Sequence, residues 1–254
     1  MVIGWALLGW FLELDTSAYL LAGIPIILLF QLVVRRQPLR SLWVRDAPPF
    51  KLTVKGKLLA GAFAVAPALG LLGTLFQKSN GFDVIYFFAG LVGAAAAAYA
   101  FSHIRREHLG LLLICVVINE VIDAGGWFAL VKLGKWSVTG RSWAARAGLI
   151  GANTLAYLPL FFMVDEVAFR GAFDAHLSRG LTRRWWFSAL YVSALWALWH
   201  TPIYRPSDVG DIIALAIICP FGVVLSYLWR KTGNLAMPVF SHALSDGLYQ
   251  AIFN

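Results

Sequence analysis

Long apolar runs alternate with short polar segments along the whole chain. Eight runs have about 17 to 25 largely uncharged residues, the length that an α-helix needs to cross about 30 Å of hydrocarbon. The pattern predicts spans at about 18–34, 58–77, 81–101, 109–131, 147–168, 185–203, 210–229 and 235–253. Alternating segments of about ten residues, which a membrane β-barrel requires, are missing from the sequence. We therefore predict an all-α fold, a polytopic membrane bundle of about eight transmembrane helices.

The composition agrees with a protein whose solvent is largely lipid. Of the 254 residues, 60% are hydrophobic and 13% are charged, and the mean hydropathy is +0.73. A soluble globule of this size could not bury so much apolar surface. Because no internal repeat, low-complexity tract or polar linker separates a second unit, residues 1–254 are predicted to form a single membrane domain.

The basic residues divide unequally between the predicted loops. The net charge is +8, but the 21 Lys and Arg residues lie between apolar runs rather than on one patch, which argues against a nucleic-acid partner. Fifteen of them fall in the loops at about 35–57, 102–108, 169–184 and 230–234, and six fall in the alternate loops. By the positive-inside rule the first set is cytoplasmic, and both termini are predicted to face outward.

Ionisable residues within predicted spans indicate function, because each costs about 2.5–3.5 kcal/mol on insertion scales and usually faces a cavity or a partner. In "DEVAFR", Glu166 and Arg170 are four residues apart and can pair on one helix face. The second cluster is His200 in "WALWH". The third is "HALSD", where His242 and Asp246 are again four apart. Three helices thus offer polar groups to a common interior.

Each cluster also has a purely structural interpretation. The pair of Glu166 and Arg170 can pin helices, His200 can be a hydrogen-bonded core histidine, and His242 can bond to Asp246 within one helix. The joint pattern favours chemistry. A carboxylate pair, two histidines and a hydrogen-bonding partner on three late helices are the groups needed to activate a water and stabilise an oxyanion.

In chain order, "DEVAFRG", "WALWH" and "HALSD" resemble the three motifs of the CPBP family of intramembrane proteases. That family includes type II CAAX prenyl proteases and bacteriocin-processing or immunity proteins, and its motifs are written EExxxR, FxxxH and HxxxN or a similar polar residue. The resemblance covers residues of about 150–254 and agrees with eight spans. It implies an integral protein, in a prokaryotic cytoplasmic membrane, that cleaves a membrane-anchored or lipidated peptide.

Matched position by position, Asp165 and Glu166 take the places of the two glutamates and Arg170 that of the arginine. Trp196 replaces the phenylalanine of the second motif, and His200 is its histidine. The aspartate is one methylene shorter than the glutamate of the family pattern. The resemblance implies that the Glu166–Arg170 pair holds the first motif in register, which leaves Asp165 as the base.

The implied reaction needs no covalent intermediate. A water held between Asp165 and His200 would attack a peptide carbonyl, and His242 would stabilise the oxyanion. Asp246 stands where asparagine is common and would fix the tautomer of His242. No cofactor is required in this scheme. Zinc is the alternative, because two histidines with acidic residues can bind it, although the HExxH spacing is absent.

The implied site makes demands on geometry. If the fifth span stopped at Val164, His200 would lie about 22 Å deeper in the membrane, at 1.5 Å per residue. We therefore predict that the fifth helix continues to about His176. We also predict a cavity open to one aqueous face and lined by Asp165, His200 and His242, because irregular backbone at membrane depth is tolerated where it lines a cavity.

A further polar cluster, "VINEVIDAGG", lies in the fourth span. Asn119, Glu120 and Asp123 are interpreted as a network contacting basic residues of a neighbouring helix, or as support for the site. Two functions besides proteolysis stay open. One is a non-catalytic immunity or scaffold protein that binds a peptide, and the other is a transporter that uses Glu120 and Asp123.

Overall fold

The computed structural model describes residues 1–12, 16–46, 48–77, 84–178, 181 and 183–253. In these ranges helices dominate, and no β-strand is present beyond an isolated bridge between Val44 and Asn234. The α-helices are α1 Val2–Phe11, α2 Thr16–Leu29, α3 Val54–Gln77, α4 Val84–Ser102, α5 Leu109–Lys132, α6 Trp143–Phe161, α7 Ala175–Leu177, α8 Trp185–Trp199, α9 Thr201–Tyr204, α10 Val209–Thr232 and α11 Ala236–Phe253. Segments Phe30–Val34 and Phe162–Asp174 are π-helical, and Leu39–Leu42 and Arg106–His108 are 3₁₀-helical.

Four helical segments of the described chain are long and apolar enough to cross a membrane. They are Val54–Leu72, Arg106–Lys132, Trp143–Leu177 and Val209–Thr232. Shorter apolar helices occupy Val2–Phe11, Tyr19–Val34 and Tyr86–Ser102. The predicted all-α membrane bundle is confirmed, whereas the count of eight spans stays a prediction.

The fifth predicted helix extends well beyond its apolar run. Ser142 caps the start of α6, accepting a hydrogen bond from the backbone of Ala145. At its other end α6 continues through the π-helix Phe162–Asp174 and α7, so that one helical segment reaches Leu177. The predicted continuation to about His176 is confirmed. Nearly every residue of the π-helix is buried, so the first motif lies inside the bundle.

Small residues bring neighbouring helices close to this segment. A Cβ placed on Gly93 of α4 would lie 2.3 Å from the carbonyl oxygen of Pro159, and one on Gly247 of α11 would lie 2.4 Å from Thr154 Oγ1. Helices in lipid associate largely through such close packing. The glycines therefore hold α6 and its π-helical extension between α4 and α11.

Candidate active site

Glu166 lies at the centre of the buried polar network. Its side chain has no solvent exposure, and its Oε1 is 2.9 Å from Nδ1 of His242 on α11. Its Oε2 is 3.5 Å from Nε of Arg170, which is also fully buried. The predicted Glu166–Arg170 pair is confirmed. One carboxylate thus connects the first motif to the third.

Two neighbouring helices hold the guanidinium of Arg170. Its Nη2 donates a hydrogen bond of 3.1 Å to the carbonyl of Gly222 on α10. Its carbon Cζ lies 4.3 Å from the ring centroid of Trp196, a cation–π contact. A Cβ on Gly222 would be 2.8 Å from Nη2, so a larger residue would displace the arginine. The aromatic residue of the second motif therefore supports the first motif.

His200 ends α8 and has a defined orientation. Its Nδ1 lies 2.8 Å from the carbonyl oxygen of Trp196, one turn earlier in the helix. A carbonyl only accepts, so Nδ1 must carry the proton. In the neutral ring Nε2 is then left as an acceptor, which is the state that can orient a water molecule.

Aromatic rings fix the position of His242. Its ring stacks on Phe161, with centroids 4.3 Å apart and planes 5° from parallel. The edge of Trp196 packs against it at 5.2 Å. The expected hydrogen bond from His242 to Asp246 is not seen among the described residues, and Glu166 binds Nδ1 instead. The stacking on Phe161 places the ring beside the π-helix, and the role assigned to Asp246 stays a prediction.

The three motifs meet at a cavity of about 220 Å³ that is partly open to the protein surface. As predicted, Asp165, His200 and His242 line it, together with Asp246. Asp165 is only 5% exposed, and its Oδ1 has no hydrogen-bond partner within the described structure. Asp165 thus contributes to the cavity wall and has one oxygen buried without a partner in the described structure, whereas Glu166 is not among the described residues that line the cavity.

Helix α5 supplies polar contacts that the motifs did not reveal. Nδ2 of Asn119 donates to Oγ of Ser241 over 2.9 Å, and the hydroxyl of Ser245 donates to Oδ2 of Asp123. These serines lie on either side of His242 on α11. The partners are serines beside His242 rather than basic residues, which favours the second of the two interpretations of this cluster, support for the site. In the sequence, this pairing of α5 with α11 was indicated only by the shared spacing of four residues, between Asn119 and Asp123 and between Ser241 and Ser245.

The cavity also has an aromatic wall toward one end of the bundle. Trp127, Trp136, Tyr204 and Tyr249 line it there. Tyr204 is 46% exposed, and its ring lies 5.9 Å from that of His200. These residues lie outside the motifs and were not predicted as part of the site. Tyr204 follows His200 by four residues, and this spacing could have predicted that the two side chains lie on the same face of a helix.

The polar side chains of the described residues do not form a metal-binding cluster. Within the described ranges, no group of three or more His, Cys, Asp and Glu side chains is placed to hold a metal ion. The contacts of His200 and His242 in the structure are hydrogen bonds and aromatic packing.

The family model of type II CAAX prenyl endopeptidases of the Rce1-like kind matches residues 147–248. This range includes all three motifs and the helices that carry them, α6 to most of α11. The resemblance inferred from the motifs is confirmed over this part of the chain. No curated protein and no solved structure matches the chain significantly.

Proposed function

We propose that this integral membrane protein, similar over residues 147–248 to the type II CAAX prenyl endopeptidases, is an intramembrane endopeptidase that cleaves a membrane-anchored or lipidated peptide. One observation carries the proposal. Asp165, His200 and His242, each from a different motif and helix, line one partly open cavity. A peptide carbonyl and a water molecule can meet all three side chains there.

The attacking water binds between Asp165 and His200. One of its hydrogens is donated to the carboxylate of Asp165, and the other to Nε2 of His200. Both acceptors are held before substrate binds, because His200 is fixed through Nδ1 and Asp165 by the buried π-helix. This arrangement leaves an oxygen lone pair free to attack the carbonyl carbon.

Asp165 then transfers the proton, and His242 stabilises the negative charge that develops on the carbonyl oxygen. The water oxygen bonds to the carbonyl carbon, and its proton passes to Asp165. In its doubly protonated form His242 donates Nδ1–H to Glu166 and has Nε2–H for the developing oxyanion. When the C–N bond breaks, the proton on Asp165 passes to the leaving amine. The products are a carboxylic acid, which keeps the second proton of the water, and an amine, and these ionise to a carboxylate and an ammonium group.

We further propose that the reaction needs no resident metal. In the proposed reaction Asp165 transfers the proton from the water to the leaving amine, and His242 stabilises the oxyanion. The purified protein should therefore keep its activity after dialysis against a chelator, with the zinc content measured by mass spectrometry. Activity that disappears with zinc and returns when zinc is added would replace this scheme by a metal-assisted one.

Peptide cleavage in lipid nanodiscs tests the proposed function. Membrane peptides of cells that express the parent protein are compared by mass spectrometry with those of cells that express the His200→Ala variant, and a peptide cut only by the parent is then assayed in water enriched in ¹⁸O. We expect one ¹⁸O atom in the new carboxyl group, and no cleavage by His200→Ala or His242→Ala. The matched control is His176→Ala, an exposed histidine of α7, which should cut at the parental rate.

The two alternative functions, a peptide-binding scaffold and a transporter, predict different results for variants of these residues. A peptide-binding scaffold would keep its cellular effect in both His200→Ala and His242→Ala. A transporter would depend on Glu120, whose two carboxylate oxygens are buried without a partner in the described structure. Cleavage that disappears in the two histidine variants and persists in Glu120→Gln would select the protease.

A further inference from the structure

The cavity extends from the motifs toward one end of the bundle. On α5 its lining residues run from Asp123 to Leu130, close to the end of that helix at Lys132. From His200 the lining continues to Tyr204, where α9 ends. On α11 it runs from His242 toward the C-terminal end of the helix.

Helix α10 contributes to the cavity from its N-terminal side, whereas α5, α9 and α11 contribute from their C-terminal sides. Its cavity-lining residues lie between Ala214 and Phe221, in the first half and at the middle of Val209–Thr232. The first half of α10 adjoins the ends of α5, α9 and α11 named above. All four elements therefore open the cavity toward the same end.

The segments at that end form one face, which we call the mouth face and define as residues 133–142 and 205–208. Lys135 forms an ion pair with Asp208 across it, and the lysine holds the pKa of that carboxyl below its usual value. The backbone N–H of Thr139 donates to the carbonyl of Ile252 over 2.9 Å, at the end of α11. These contacts place both segments around the cavity opening.

The opposite end, which we call the basic face, comprises residues 35–46, 48–53, 103–108 and 233–235. Asn234 donates from Nδ2 to the carbonyl of Ala100 over 2.8 Å. The backbone N–H of Leu235 donates to the carbonyl of Trp43 over 2.9 Å. The turn between α10 and α11, the end of α4 and the long basic segment thus lie together, away from the opening.

Charge distinguishes the two ends. Of the 21 Lys and Arg residues in the sequence, 15 fall in the predicted loops that include the basic face, and six fall in the alternate predicted loops that include the mouth face. Two of the 15, Arg170 and Arg230, are buried in ion pairs, and the remaining excess is still about twofold. The positive-inside rule counts such loop residues and places the basic face in the cytoplasm.

We propose that the catalytic cavity opens on the extracytoplasmic face of the membrane. This inference rests on the proposed proteolysis. It implies that the substrate is a membrane-anchored peptide whose scissile bond lies in or beyond the outer leaflet. A lipidated chain end on the cytoplasmic side would meet the closed, basic end of the bundle. The cavity geometry and the loop charges are independent observations that give this one assignment.

Thiol labelling of the full chain in intact cells tests the orientation without depending on proteolysis. In a background with Cys115→Ala and Cys219→Ala, single cysteines are introduced as Ser137→Cys on the mouth face, Ser102→Cys at the basic face and Tyr204→Cys at the opening. All three native residues are exposed, and two are serines, so the changes are matched. The probe is a membrane-impermeant maleimide, and the readout is the mass of the protein.

We expect Ser137→Cys and Tyr204→Cys to gain the label in intact cells, and Ser102→Cys to gain it only after permeabilisation. Labelling of Ser102→Cys alone in intact cells would overturn the orientation. Failure of Tyr204→Cys to react even in permeabilised cells, while Ser137→Cys reacts, would overturn the assigned opening. Neither result depends on cleavage, so a protein that labels as expected but cuts no peptide would refute only the proposed function.

Discussion

Two adjacent carboxylates, Asp165 and Glu166, compete for the role of base. Glu166 hydrogen-bonds to His242 through Oε1 and forms an ion pair with Arg170 through Oε2, so its carboxylate connects the first motif to the third. Asp165 lines the cavity, whereas Glu166 is not among its described lining residues. We expect Asp165→Ala to lower kcat by about 10²–10⁴-fold, the usual contribution of a general base, and Asp165→Glu to retain or increase activity. Kinetics on the purified, folded variants give the comparison.

Glu166→Gln serves as the counterpart of that experiment. The change leaves Arg170 buried without a full counter-charge, so it should lower the free energy of unfolding by about 3 kcal/mol. Thermal unfolding in detergent measures this loss. If folded Glu166→Gln is inactive while Asp165→Ala cuts at the parental rate, the roles of the two carboxylates are exchanged.

Asp246 lines the cavity but makes no hydrogen bond to His242 in the described structure. An ionised carboxylate there repels a developing oxyanion, whereas an amide can donate a hydrogen bond to it. We therefore expect Asp246→Asn to raise kcat, by about tenfold, without a large change in KM. Steady-state kinetics check this, with Asp246→Ala for comparison. A loss of activity in the asparagine variant would show that the carboxylate itself takes part in the reaction.

At the scale of elements, α5 and α11 form a two-step ladder beside the site. Asn119 pairs with Ser241 and Asp123 pairs with Ser245, one turn apart on each helix. Because His242 lies between the two serines, the ladder fixes its height and rotation. We expect Asp123→Ala and Ser245→Ala each to lower kcat about 10- to 100-fold, with a small effect on KM, and the double variant to lose little more.

Matched variants separate positioning from general stability. Asp123→Asn keeps an acceptor for the hydroxyl of Ser245 and should restore most of the activity. Ser226→Ala removes another buried hydroxyl, which has no partner in the described part of α10, and should leave kcat unchanged. Full activity of folded Ser245→Ala, or additive losses in the double variant, would contradict the role of the ladder.

The sequence predicts these elements unequally. The extension of α6 to Leu177 followed from a depth argument that linked Asp165 to His200, since two residues cannot share a site at different depths. The π-helical form of that extension did not follow, because apolar periodicity carries no signal for a π-turn. The pairing of α5 with α11 was equally hidden, because hydrogen bonds between distant helices depend on tertiary packing.

At the scale of the molecule, the match at residues 147–248 contains the motifs but not all of their support. Helix α1 and the start of α2 pack against α8. The hydroxyl of Tyr19 donates to the carbonyl of Trp199 over 2.8 Å, and Nε1 of Trp5 donates to the carbonyl of Tyr19 over 3.0 Å. Motif spacing could not reveal this contact, which joins residues 180 positions apart.

These N-terminal contacts lead to a prediction for a residue far from the motifs. Trp5 is 1% exposed, and its ring packs at 5.1 Å on Trp199, the neighbour of His200. Trp5→Ala should therefore lower the free energy of unfolding by about 3–5 kcal/mol, through a lost hydrogen bond and a cavity against α8. Trp143→Ala, at a tryptophan that is 81% exposed, is the control and should change stability little.

Kinetics extend this prediction to the site. Tyr19→Phe keeps the ring and removes only the hydroxyl that binds the carbonyl of Trp199, so the fold should persist with a loss of about 1–3 kcal/mol. Because that carbonyl directly precedes His200, kcat should fall even at temperatures where the variant is fully folded. Thermal unfolding and cleavage rates measured on one preparation separate the two effects. Parental kcat in the folded variant would show that the N-terminal helices stabilise the bundle without positioning the histidine.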